Sequence, residues 1–386
     1  MQIARDIFYV GVDDHDIDLF EGMYEVPNGM AYNSYLIVDE KVAVMDSVEK
    51  RFGDEWLGKI EAQLGGRTPD YLVVQHMEPD HSANIARFME RYPSAQVVAS
   101  AGAFRIMAAF FHTAFEDRRM VVGEGDTLSL GARELRFIAA PMVHWPEVIF
   151  TYCPQEKVLF TADAFGKFGA LDTDEPWDCE ARRYYFGIVG KFGAQVQKAL
   201  AKLDGLQIEV IAALHGPVLS EDIDHYLGQY RTWSSYGVET QGVVIAYTSV
   251  YGHTKEAVEL LEAELKAAGC PRVVVTDLAR DDMAEAAEDA FRHNCLVLAT
   301  TTYCNGVFPT MVDFIYRLAE HNFQNRTVAL MENGSWSPSA AKGMRKLLEG
   351  CKGIEYAENT VTVNGALSDA SRAAIKALAQ ELAAKF

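Results

Sequence analysis

Hydrophobic positions along the chain follow two different grammars. Up to about residue 240, apolar runs of strand length at 34–38, 42–45, 71–74, 97–99 and 135–139 sit beside Gly, Asp or Pro, the punctuation that bounds strands. Between two of these runs, Ile85, Phe88, Met89 and Tyr92 recur at the spacing of one helix face. Turn residues at 123–126 and Gly131 predict hairpins, so this half reads as an α+β sandwich with mixed sheets.

After residues 231–241 the pattern becomes strict alternation. Short apolar strands at 243–247, 273–275, 295–299, 328–331 and 360–363 are separated by helical stretches. The helices are predicted at 255–268, closed by Gly269, then at 282–292, 310–321, 339–348 and from Asp369 onward. Strands alternating with helices imply an α/β doubly wound parallel sheet, whose ligand lies at the carboxyl ends of the strands. The expected division is 1–240 and 241–386, because 386 residues exceed what one core usually spans.

Composition narrows the function classes. Hydrophobic content of 49% with 23% charged residues is that of an ordinary globular protein. A formal charge of −20 without any basic run argues against nucleic acid and anionic membrane surfaces as partners. The apolar stretch 7–12 is too short for a signal-peptide core or a membrane span, so a cytoplasmic protein is expected. Cys153, Cys179, Cys270, Cys295, Cys304 and Cys351 show no Cys-x-x-Cys pair and are expected to be mostly buried small hydrophobes. An electron donor with an iron–sulfur or rubredoxin centre is then expected to be a separate protein.

The densest chemistry follows the run 71–74. Gln75-His76-Met77-Glu78-Pro79-Asp80-His81 holds four potential metal ligands within six consecutive residues. Side-chain alternation in an extended segment predicts His76, Glu78 and Asp80 on one side and His81 on the other, so one loop could serve two neighbouring metals. Imidazole with carboxylate and without thiolate suits iron, manganese or zinc. Further ligands must come from elsewhere, and the candidates are His144, Asp163 and His215, each just beyond an apolar run (135–139, 158–161 and 208–214). Taken singly, a His or Asp after a strand is an ordinary turn residue; beside the cluster the balance reverses. His112, His225, His293 and His321 have no such setting and read as surface or helix-packing residues, with His225 the reserve should His215 fail.

A second constellation opens the alternating half. The run 243–247 leads into Thr248, Ser249, Val250, Tyr251, Gly252, His253 and Thr254, after which a helix begins. Hydroxyls and backbone N–H groups at such a junction can surround a phosphate, helped by the positive end of the helix dipole. A shorter match would be a plain helix cap. Two further segments, Thr301-Thr302-Tyr303-Cys304-Asn305-Gly306 and Asn333-Gly334-Ser335-Trp336, follow the third and fourth strands. Tyr303 and Trp336 offer aromatic surfaces, and polar backbone between them can bond the edge of a planar ring. A nicotinamide dinucleotide is disfavoured, since Gly-x-Gly-x-x-Gly is missing after the first strand.

The His-x-Glu-x-Asp-His run, with His144 in His-Trp-Pro-Glu, Asp163 in Asp-Ala-Phe-Gly and His215 in His-Gly-Pro, resembles the flavodiiron proteins, or A-type flavoproteins, over almost the whole chain. The resemblance implies a metallo-β-lactamase-like sandwich followed by a flavodoxin-like domain whose three loops bind FMN. Hydrolases of the first fold usually carry His-x-His-x-Asp-His and bind zinc; here Glu78 replaces the middle histidine, and an anionic oxygen ligand favours redox-capable iron. The resemblance assigns His76, Glu78, His144 and a bridging Asp163 to one iron, and Asp80, His81, Asp163 and His215 to the other. It further implies reduction of dioxygen to water or of nitric oxide to nitrous oxide, with FMN as the relay.

Tyr184 and Tyr185, in Arg182-Arg183-Tyr184-Tyr185, match a family segment lining the metal pocket, where a phenol could donate a proton and at least one ring serves packing. The family also implies rubredoxin or a related reductase as donor, and a head-to-tail homodimer or homotetramer that sets one subunit's flavin beside the other's irons. The chain departs from the family pattern in a shorter Asp163 to His215 interval, in Asn28 where many relatives have a histidine near the metals, and in Thr301 and Cys304 where relatives often have Pro and Asn. The competing readings are a metal-dependent hydrolase fused to a flavodoxin electron-transfer module, and a non-enzymatic electron carrier or gas sensor.

Overall fold

A computed structural model describes the whole chain, Met1–Phe386, which divides into two compact units, Met1–Arg231 and Thr232–Phe386.

The first unit is built on two sheets. The larger runs in the order Gln2–Ala4, Ile7–Tyr9, Tyr35–Val38, Val42–Met45, Tyr71–Val74, Gln96–Ala99 and Arg119–Val121. The smaller runs Thr127–Ser129, Glu134–Ala139, Ile149–Cys153, Val158–Phe160 and Val210–Ala212. Their inner faces share one core, in which Tyr35, Ile37, Met45 and Val73 of one sheet meet Phe137, Ile149, Phe160 and Ala212 of the other. Alternation drives this, because a strand with one face on the core must place every second side chain there. Helix Gly53–Leu64 turns Trp56, Leu57, Ile60 and Leu64 inward, and Trp56 meets Phe88 of helix Ile85–Arg91 with ring centroids 5.7 Å apart.

The second unit is a parallel sheet in the order Val273–Asp277, Thr240–Tyr247, His293–Tyr303, Thr327–Asn333, with Glu355–Tyr356 and Val361–Val363 both paired to the last. The first strand lies inside the sheet, as a doubly wound topology requires. Ala257, Val258, Leu261 and Leu265 of helix His253–Ala267 pack with Ile375, Leu378 and Leu382 of the last helix against Val243, Ile245 and Val297. The cysteines depart from expectation: only Cys153 and Cys295 are buried, while Cys179 and Cys304 are exposed.

Arg326 ties this unit together. Its buried guanidinium donates to the carbonyls of Tyr236, Gly237 and Phe291, and burial pushes its pKa down to about 10. Removing such a donor strands several carbonyls away from water. Arg326→Met is therefore expected to cost roughly 3 kcal/mol, read as about 100-fold faster exchange of the slowest amide hydrogens in the Thr240–Tyr247 strand; unchanged exchange would contradict this role.

Candidate functional site

Strand register gathers the ligand-type residues of the first unit. Val158–Phe160 and Val210–Ala212 pair in parallel with Phe160 opposite Ala212, so Asp163 and His215 each lie three residues past a matched pair. This register aligns them whatever the length of chain between the two strands. His76 leaves the end of Tyr71–Val74, and His144 follows Glu134–Ala139.

The side chains converge in two groups. His76, Glu78, His144 and Asp163 form one, and Asp80, His81 and His215 the other, with the ligand atoms of each within 4.8 Å of one another. His144 Nε2 is 3.0 Å from both Glu78 Oε2 and Asp163 Oδ2, while Asp163 Oδ1 is 3.2 Å from His81 Nε2. Asp163 thus faces both groups. The predicted alternation fails after Glu78, because Pro79 starts a helical turn, Pro79–Ser82, that carries Asp80 and His81 together into the second group. His225 stands apart and pairs with Asp178 at 2.7 Å.

This cluster carries the marks of a cation site. His81 Nε2 and His215 Nε2 face each other at 3.0 Å, and each is 3.3 Å from Asp80 Oδ2. Yet both carboxylate oxygens of Asp80, and Oδ1 of Asp163, are buried without a hydrogen-bond partner. Buried anionic oxygens without donors are costly, and imidazole and carboxylate lone pairs aimed at common points suit hard divalent cations. Burial alone would lower the His144 imidazole, but Asp163 and Glu78 hold it up at about 9. Against the same burial, His76 and His81 are also raised, while the imidazoles pull Glu78 and Asp163 below the usual carboxylate range.

The two tyrosines separate. Tyr184 ends helix Trp177–Tyr184, its ring 5.5 Å from that of His215, and its buried hydroxyl has no hydrogen-bond partner. Burial, then the charges of Asp163, Glu78 and Asp80, push its phenol well above the usual range. Tyr185 opens the π-helical turn Tyr185–Val189 and packs on Phe186 and Tyr230, both at 5.1 Å between centroids.

Other residues complete the surroundings, Glu21, Asn33 and Asp46 without having been singled out in the sequence. Glu21, in the turn between Leu19–Phe20 and Tyr24–Glu25, is pushed up to about 7 by burial and by neighbouring Glu78; its Phe-Glu-Gly context reads only as a turn. Asn28 is exposed and bonds Glu175 at 3.4 Å. Asn33 donates to the carbonyls of Ala213 (2.9 Å) and Gly216 (2.8 Å), and His215 Nδ1 donates to Ala31 O at 2.8 Å, so the 31–33 segment aims His215. Asp46 holds Gln75 through its N–H (2.7 Å) and side-chain amide (2.9 Å).

In the second unit a cavity of about 550 Å³ opens at the carboxyl ends of the strands. Ser249, Val250, Tyr251, His253 and Thr254 line it with Thr301, Thr302, Tyr303, Cys304, Asn305, Asn333, Gly334, Ser335, Trp336 and Gly365. Thr248, Gly252 and Gly306 are not in the lining. Thr248 is buried beneath, its hydroxyl 2.6 Å from that of Thr300. Gly252 supplies a backbone turn at φ +100, ahead of helix His253–Ala267, that an L side chain rarely adopts. Cys304 and Asn305 hold the tight turn of a small hairpin at φ +48 and +60. Trp336 and Tyr251 are 80% and 93% exposed, leaving aromatic faces open to a ligand or a covering surface.

Fold and site together define a two-unit chain, a metallo-β-lactamase-like sandwich that carries a candidate metal cluster and a flavodoxin-like sheet with an open cleft at its strand ends. A family model described as "ODP family beta lactamase" matches residues 30–216. Nitric oxide reductase of Moorella thermoacetica is 31% identical over 94% of this chain and 92% of its own length. The rubredoxin oxygen:oxidoreductase of Desulfovibrio gigas superposes with a TM-score of 0.92 at 26% identity, over 100% of this chain and 98% of that one. The flavodiiron protein of Giardia intestinalis gives 0.91 at 26% identity, over 98% and 95%. The chain also spans 48% of the length of a Synechocystis diflavin flavoprotein that it matches. The chain belongs to the flavodiiron protein family.

Cation and proton compete for the same nitrogen lone pairs. In the metal-free chain the raised His144 contributes stability that is complete below its ordinary 6.5 and is lost as pH rises through about 9. Thermal scans of metal-free protein should therefore show a falling midpoint over that interval, while ferrous-ion titrations show tightening uptake; pH-independent uptake would count against the cluster as the binding site.

Proposed function

We propose that this chain is a flavodiiron oxidoreductase that reduces dioxygen to water, nitric oxide to nitrous oxide, or both, with residues 1–240 holding two non-haem irons and 241–386 holding FMN. The observation that carries the reading is the pair of abutting ligand groups, whose buried carboxylate oxygens have no hydrogen-bond partner. His76, Glu78 and His144 would hold one iron and Asp80, His81 and His215 the other, with Asp163, which faces both groups, bridging them and offsetting the repulsion of two cations. The loops 248–254, 301–306 and 333–336 would hold FMN. When bound, the irons and the flavin supply the electrons and the redox chemistry.

The chain's own residues set the conditions for that chemistry. The Tyr184 hydroxyl, neutral because its phenol is raised, serves as a hydrogen-bond and proton donor beside His215. Phe20, Phe168 and Tyr184 form an aromatic wall that keeps bulk water from the second group. Tyr185 serves packing, against Phe186 and Tyr230. The electron donor is a separate protein, rubredoxin or a related reductase, and the working assembly is a head-to-tail homodimer or a dimer of such dimers in the cytoplasm. No helix is long and apolar enough to cross a membrane. A hydrolase fused to a flavodoxin is not favoured, since the chain's relatives include a nitric oxide reductase and a rubredoxin oxygen:oxidoreductase.

The decisive measurement is steady-state consumption of dioxygen and of nitric oxide by anaerobically reduced protein at matched donor concentration; neither gas being consumed, or a single zinc in place of two irons, would overturn the proposal. Asp163→Ala should strip iron and abolish turnover with FMN retained, whereas full iron occupancy would refute the bridging role. Tyr184→Phe should keep both cofactors and slow turnover by at least about 10-fold, with Tyr185→Phe changing it little; equal effects would show that neither hydroxyl is singled out.

A further inference from the structure

The two ligand groups are backed differently. His76 Nδ1 lies 2.9 Å from Glu147 Oε1, which also accepts from Met77 N at 2.9 Å, and both side chains are fully buried. On the other side, His215 Nδ1 donates to the neutral carbonyl of Ala31, and His81 Nδ1 is buried with no partner. Only one group therefore has an imidazole backed by an anion.

Glu147 is held in turn. Ser100, capping helix Ala101–Phe111, donates through its hydroxyl to Glu147 O at 2.7 Å. Gly102 lies so close that a Cβ there would stand 2.9 Å from Glu147 Cβ and 3.2 Å from its Cα. The helix start is fitted to this residue and fixes its backbone and Cβ, while His76 and Met77 hold carboxylate oxygen Oε1.

An anion accepting the Nδ1–H of an imidazole fixes the tautomer, leaves the Nε2 lone pair for the cation and makes that lone pair more basic. Building on the metal pair proposed above, we propose that Glu147 is the positioning residue of the site and makes the His76, Glu78, His144 position the tightly held one, leaving the Asp80, His81, His215 position to exchange. Met77 N adds a geometric constraint, since one carboxylate oxygen fixes both the ring and the backbone that carries it.

The test uses full-length protein loaded with two equivalents of 57Fe(II) under anaerobic conditions and challenged with a chelator, following iron content and the Mössbauer spectrum. Biphasic loss is expected, with Asp80→Asn removing the fast-lost ion. Glu147→Gln, which keeps an acceptor oxygen but loses the charge, should accelerate the slow phase by about 10- to 100-fold and leave the fast phase alone. Gly102→Ala, which displaces Glu147 without changing its chemistry, should shift the slow phase in the same direction. Retained FMN and an unchanged far-ultraviolet circular dichroism spectrum exclude misfolding of the variants. Two ions lost in a single phase, or a Glu147→Gln effect confined to the fast phase, would overturn this proposal alone, whereas failure to take up a second ion would overturn the metal-pair reading with it.

Discussion

The structure turns on the burial of three carboxylates and four imidazoles in one pocket. Glu78, Asp80 and Asp163 are drawn out of water at a cost of several kcal/mol per ion, and the histidines compensate only in part, because Asp80 and Asp163 keep oxygens without donors. Local geometry cannot relieve this, since the groups are fixed by strand ends and a helical turn. Divalent cations can, and an anionic Glu78 in place of an imidazole adds one more negative charge to balance them. The same constraint explains why His76, His81 and His144 are pushed up and Glu78 and Asp163 down in the metal-free chain: with no cation, protons on histidine are the available counter-charge.

The sandwich makes such a pocket affordable by supplying ligands from rigid edges. Parallel register between Val158–Phe160 and Val210–Ala212 sets Asp163 and His215 side by side however many residues separate them in sequence. The helices between the two strands can vary in length without altering that register. Behind the ligands lies a layer of clamps, Asp46 on Gln75, Asn33 on the loop of His215 and Glu147 on His76.

What could be read from the sequence followed local period. The helices of the second unit were visible in their hydrophobic spacing to within two residues, the one expected over 255–268 being His253–Ala267; the strands were caught only in part, since 243–247 and 295–299 lengthen to Thr240–Tyr247 and His293–Tyr303, and Gln2–Ala4, Arg119–Val121 and Ile149–Cys153 carried no expectation. The seven ligand-type residues were visible because four crowd into one loop and three follow strands. Side-chain alternation beyond Glu78 misled, since it assumes extended backbone where Pro79 begins a helical turn. The clamps were invisible for a different reason. Glu147 closes the His-Trp-Pro-Glu segment that carries His144, yet its contact with His76, like that of Asn33 with the loop of His215, is long-range and could not be read from the sequence. Glu21 is the extreme case, its turn placed beside Glu78 only by tertiary folding.

The two sites make opposite demands on solvent, and this bears on why one chain carries two units. His76, His81 and His215 are wholly buried, which suits the proposed reduction of a small gas at paired cations, where partly reduced species must not meet water. A relay that receives electrons from another protein must instead present a reachable edge, because electrons arrive only where a donor can approach. The cleft of the second unit meets that need, with Tyr251 and Trp336 standing largely in solvent. A single pocket could not be sealed and open at once. Dividing the tasks between a sandwich that buries its ligands and a parallel sheet that opens its ligand site at the strand ends resolves the conflict. Exposed aromatic rings of this size are also what a covering protein surface would use, so the open cleft gives the proposed head-to-tail pairing and the proposed donor a common physical basis.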